Sequence, residues 1–250
     1  MSRTLSTEQL LAEIFADPAH PLADRMAEWI SASKRFRSFV ESYRTKIRSK
    51  IRPMHDAEGL LDLAFELETA YWLLQESRFS LTYEQPGTRT VRSPDFLVAF
   101  TTQLTFGVEV TRMRAASRTP DQPTSDAAVS STSHERDQGR LLNIINSKLG
   151  QTVTGSPNLL LIGVEADLVD SLDVGAVMTQ LKRRADAKDS LLFSRSGLRD
   201  AADYFRHYQR LSGILLRSTQ SQAGISPASL WTNKEARHPL PTNMQTLLKR

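Results

Sequence analysis

The chain has 250 residues, 40% of them hydrophobic, enough to bury a sizeable core and suited in length to one core with a helical extension. It contains no cysteine, which excludes disulfides, thiolate zinc sites and cysteine nucleophiles. The formal net charge is +4, yet from Lys34 to Arg52 eight Lys and Arg accompany a single acid, Glu41, so this stretch carries +7 and the remainder −3. Basicity concentrated in this way suits the docking of a polyanion.

The opening MSRTLSTEQLLAEIF lacks the long apolar region and small-residue cleavage site of a signal peptide. No apolar run approaches the ~20 residues that cross a bilayer. The expectation is a soluble, cytoplasmic protein without a membrane partner.

Taken in chain order, residues 6 to about 50 predict helices. Leu10, Ile14 and Phe15 make a short stripe, Pro18 and Pro21 interrupt it, and Trp29, Ile30, Phe36, Phe39, Val40, Tyr43 and Ile47 recur at helical spacing until Pro53. Residues 57–79 predict a helix with Leu60, Leu63, Ala64, Leu67, Tyr71 and Leu74 on one face, flanked by Glu66 and Glu68. Three β-type runs follow, FSLTYEQ, DFLVAFT and LTFGVEVT, separated by turn residues and read as antiparallel hairpins. The Ser-, Thr- and Pro-rich segment 115–133 predicts a flexible loop within the domain. A helix over about 135–151 leads to the buried strand NLLLIGVEA. Helices near 174–186 and 198–211, the strand GILLRS, and a final strand with an irregular tail complete the chain. The fold class is therefore α/β or α+β, a mixed sheet covered by helices. Residues 1–53 form a basic helical extension and residues 54–250 the core.

Two acids stand out in the hairpin. Glu109 lies between Val108 and Val110, so it shares a strand face with the small Gly107 and Thr111. Asp95 opens the preceding strand and can reach the same patch. Glu68 or Glu66 can approach from the helix before it. Burying such carboxylates unpaired costs several kcal/mol, which a divalent cation removes. The oxygen ligands select Mg²⁺ or Mn²⁺ over zinc, and the five histidines, His20, His55, His134, His207 and His238, show no metal-ligand spacing. His134 borders the flexible loop, and Tyr204, His207 and Tyr208 read as one helix face. No glycine-rich phosphate loop or nucleophile elbow is present.

Pro94-Asp95, a hairpin, then Glu109-Val110-Thr111 resembles the PD-(D/E)XK nuclease superfamily, as does the order helix, three strands, helix, strand across residues 57–166. The resemblance implies a restriction-endonuclease-like core in which Asp95 and Glu109 are catalytic metal ligands and Glu68 is the helix acid, with Glu66 its substitute. It implies Mg²⁺ or Mn²⁺ as cofactor, DNA as partner and phosphodiester hydrolysis as activity. The motif lysine is replaced by Thr111, which carries no positive charge. Lys148 on the following helix is the displaced lysine in this reading, with Gln151 beside it. Arg112 points to the opposite strand face from Glu109, and Arg114 is a weaker substitute.

Lys34, Arg35, Arg37, Arg44, Lys46 and Arg48 would neutralise phosphates, with Phe36, Phe39 and Tyr43 packed inward or stacked on bases. The residues also admit plainer readings: Asp95 and Glu109 as a surface pair salt-bridged to cations, a solvated Glu68, a surface Lys148, and a helix face for the cations. Thr111 keeps open an inactive nucleic-acid-binding or regulatory protein on the same fold. A third reading gives the basic helix a protein partner.

Overall fold

The computed structural model describes residues 5–54, 56–84, 93–114, 126–219 and 227–249, with the side chains of 126–132 left aside. The N-terminal helices are α1 (Thr7–Ile14), α2 (Ala23–Ala32), α3 (Lys34–Ile51) and α4 (Ala57–Leu73). Strands β1 (Ser80–Tyr83), β2 (Phe96–Thr101) and β3 (Leu104–Arg112) follow, then α5 (Asp126–Leu149) and β4 (Asn158–Val164). Helices α6 (Leu168–Ser171), α7 (Val174–Asp186), α8 (Ser190–Ser196) and α9 (Ala201–Tyr208) lead to β5 (Leu211–Ser218), β6 (Ala228–Thr232) and α10 (Thr242–Leu248).

The fold is α/β, with a six-stranded mixed sheet in the order β1-β2-β3-β4-β5-β6. Thr102 and Gln103 alone join β2 to β3, a connection that only an antiparallel pair allows. β3 pairs with β4 and β4 with β5 in parallel, and β5 pairs with β6 antiparallel. Every residue of β4 and β5 is buried, as expected of parallel strands covered on both faces. β3 buries Phe106, Val108 and Val110 and leaves Glu109 half-buried on the alternate face.

Helix starts follow local chemistry. Ser6 and Gln9 form a reciprocal capping box on α1, and the side chains of Ser33, Asp56, Asp173 and Asp200 accept from backbone N–H groups at the starts of α3, α4, α7 and α9. Gly197 ends α8 in the left-handed region, at φ 68°.

The contacts divide the chain into two compact units, Met1–Tyr83 with Val98–Thr102, and Glu84–Leu97 with Gln103–Arg250. The first is built on an aromatic cluster. Trp29 stacks on Tyr71 at 5.6 Å between centroids, and Phe36 meets Tyr71 edge-on at 5.4 Å. In the second, Leu141 and Ile145 of α5, Val177 and Leu181 of α7 and Tyr204 of α9 join a buried cluster with Leu160 and Ile162 of β4 and Ile214 and Leu216 of β5.

Several boundaries differ from those the sequence predicts. α4 ends at Leu73 rather than Phe79, because Arg35 donates to the carbonyls of Leu74, Glu76 and Phe79 and ties down the turn after it. α5 begins at Asp126, inside the segment expected to be loop, where Ala127 and Ala128 favour a helix; residues 115–125 of that segment lie outside the described ones. α9 stops at Tyr208, and Leu211 already belongs to β5. α10 occupies part of the tail read as irregular, starting after Pro241.

Candidate functional site

Asp95 immediately precedes β2. Its Oδ2 accepts from the backbone N–H of Val110 at 2.7 Å, which fixes the carboxylate against β3 one residue beyond Glu109. Lys148 sits in the last turn of α5, and its Nζ meets Glu109 Oε1 at 2.7 Å. Gln151, just past the helix, places its side-chain oxygen 3.5 Å from the same amine. The structure thus brings together Glu109, Lys148 and Gln151, and holds Asp95 on the neighbouring backbone. Pro94, Gly107, Glu109, Lys148, Gln151 and Asn158 line one small cleft.

Gly107 keeps this cleft open. A Cβ there would come within 3.3 Å of both Pro94 and the Asn158 side chain. Asn158 is buried at the start of β4. Its Oδ1 accepts from Val153 N at 2.9 Å, and its amide group reaches the carbonyls of Val153, Ser156 and Arg210. It therefore fixes the turn that follows Gln151. An asparagine just before an apolar run reads as an ordinary turn residue, so the sequence gives no sign of this role. Thr111 is half-buried on β3 opposite Ile162 of β4.

Within the second unit, Glu84 and Asp95 each offer a carboxylate oxygen, and these two oxygens lie within 4.8 Å of each other. Glu84 escaped the sequence reading. It directly follows β1 in the left-handed region at φ 38°, and its N–H donates to the Asp95 carbonyl at 2.8 Å. Glu66 meets Lys50 Nζ at 2.6 Å. Glu68, expected as the helix acid, is buried with its carboxylate 2.8 Å from Arg25. The donors are all oxygens, so the chemistry of the set fits a hard divalent cation.

The cations of α3 are used unevenly. Arg35 is spent on the three carbonyls named above. Arg37 bonds Glu41 at 3.1 Å, Thr7 and the Leu5 carbonyl. Arg44 pairs with Glu13 at 2.9 Å, and Lys46 donates to the Tyr83 carbonyl at 2.9 Å. Lys34 and Arg48 are exposed. Phe36 and Phe39 are buried, and Tyr43 is half-buried against Phe39 and Tyr83.

The described histidines contribute no ligand to the carboxylate group. His20 packs on Phe15, His134 is exposed, and His55 lies outside the described residues. His207 Nδ1 is 3.0 Å from the Thr152 hydroxyl, at the edge of the cleft. Burial pushes the His207 imidazole below its ordinary pKa, and Arg210 and Arg206 push the same way against Asp203. Among the described residues no helix is long and apolar enough to cross a membrane. No family model, curated protein or solved structure matches this chain.

Proposed function

We propose that the chain is a metal-dependent nuclease on the PD-(D/E)XK plan, with a restriction-endonuclease-like core, hydrolysing phosphodiester bonds of DNA. The observation that carries this reading is the 2.7 Å contact between Lys148 Nζ and Glu109 Oε1. Thr111 stands where the plan has its lysine, and an amine 39 positions beyond Glu109 reaches the same carboxylate. Chance placement of a surface lysine does not require a partner acid on a buried strand with Asp95 bonded to the next residue.

In this reading Asp95 and Glu109, with Glu84, supply oxygens for Mg²⁺ or Mn²⁺. When bound, such an ion polarises a phosphoryl oxygen and acidifies water. Lys148 offsets the charge that develops on the phosphate, and Gln151 holds its amine in place. Lys34 and Arg48 bind backbone phosphates.

Thr111 favours a second reading, a DNA-binding protein on the same fold that does not cut. Plasmid incubated with Mg²⁺ or Mn²⁺ separates the two. Under the first reading, cleavage falls roughly 10²-fold or more in each of Asp95→Ala, Glu109→Ala and Lys148→Met. Equal cleavage by the wild type and all three variants overturns it. Salt-sensitive binding without cleavage in either metal supports the second reading.

A further inference from the structure

We propose that the cleft between α1 and α2 is a docking site for a basic, amphipathic helical segment of a partner protein. The cleft has a volume of about 380 Å³, and its walls include Leu11, Ala12, Phe15, Ala16, Ala23 and Ala27. Phe15 is its floor, only 4% exposed, while Ala12 and Ala16 face solvent. Ala23 and Ala27 stand one turn apart on α2, so small side chains leave a trough that larger apolar ones can fill.

The rim has one sign of charge. Glu8 and Asp24 border the trough, and Glu28 follows one turn beyond Asp24. All three are exposed, and none forms an ion pair among the described residues. Across residues 5–33 five carboxylates accompany one guanidinium, Arg25. That guanidinium is committed to Glu68 at 2.8 Å and lies over the Trp29 ring at 5.0 Å.

An apolar floor under a carboxylate rim is complementary to a helix with one apolar face flanked by Lys or Arg. A nucleic acid would meet like charge here. A second copy of this chain does not supply the ligand from its own basic helix, because the apolar side chains of α3, Phe36, Val40 and Ile47, are fully buried. The inference does not depend on the nuclease reading.

The test uses the full chain and a fluorescent Leu/Lys peptide of about 18 residues, five helical turns, followed by anisotropy. The comparison peptide has the same composition scrambled so that no apolar face forms. Two variants address the cleft: Ala12→Trp, which fills it from an exposed position, and Glu8→Lys with Asp24→Lys, which reverses the rim. Circular dichroism checks that each variant keeps its helices. Expected is affinity at least about tenfold weaker for each variant and for the scrambled peptide. The proposal is overturned if the peptide does not bind, or binds both folded variants as tightly as the wild type. Equal binding of the scrambled peptide, or a dimer that Ala12→Trp dissociates, overturns it as well.

Discussion

Glu66 and Glu68 stand two positions apart on α4, and the fold gives them different partners. Glu68 is buried against Arg25, whereas Glu66 meets Lys50. Removing Glu68 should therefore cost stability, about 1–3 kcal/mol, because Arg25 loses a partner that is mostly shielded from water. Under the proposed nuclease reading, removing Asp95 should weaken Mn²⁺ binding about tenfold or more. Urea unfolding of Glu68→Ala and calorimetric titration of Asp95→Ala measure the two effects; an unchanged unfolding midpoint or an unchanged affinity would count against the respective expectation. Spacing along the chain could not separate Glu66 from Glu68. The deciding group, Arg25, lies 43 positions away from Glu68. The charge missing at Thr111 prompts a search along the next helix, and the contact of Lys148 with Glu109 is what that search meets. The place of Glu84 beside Asp95 could not be read in this way, since it depends on a left-handed backbone just after β1 that no residue type there announces.

The elements that the sequence marks most clearly are those buried on both faces. The apolar runs in NLLLIGV and GILLRS mark them as strands, and they lie within β4 and β5. The short helices α6 and α8 went unread, because four and seven residues carry too little periodicity to rise above their polar surroundings. Within β5, Gly213 is a packing requirement rather than a flexible joint. A Cβ there would sit 2.9 Å from Leu240 Cδ1 and 3.0 Å from the Trp231 carbonyl oxygen. The leucine can turn away, but the carbonyl belongs to β6, opposite in the ladder. Gly213→Val should therefore destabilise by about 1–3 kcal/mol. Urea unfolding reads the loss, and an unchanged midpoint would mean that β6 is free to shift.

At the scale of the whole molecule, stability should depend on pH through His207. Its folded pKa is pushed below 6.5, so near and below that pH the unfolded chain binds more protons than the folded one. The stability that His207 contributes is therefore fully present above about pH 6.5 and is lost as the pH drops through the window just below it. Arg210, Arg206 and Asp203 face the same ring, and Thr152 is bonded to it, so the comparison needs a variant that keeps the contact. His207→Gln should flatten the decline between roughly pH 7 and 5 in a series of urea titrations; an unchanged slope would assign the dependence to other groups. The mixed sheet has a kinetic consequence as well. β4 has parallel neighbours on both sides, one reached across α5 and the other across α6, α7, α8 and α9. Both pairings close long stretches of chain, whose loop entropy is lost before the strand contacts form. The amides of β4 should then be among the slowest in the molecule to exchange with deuterium, opening only when the second unit unfolds as a whole.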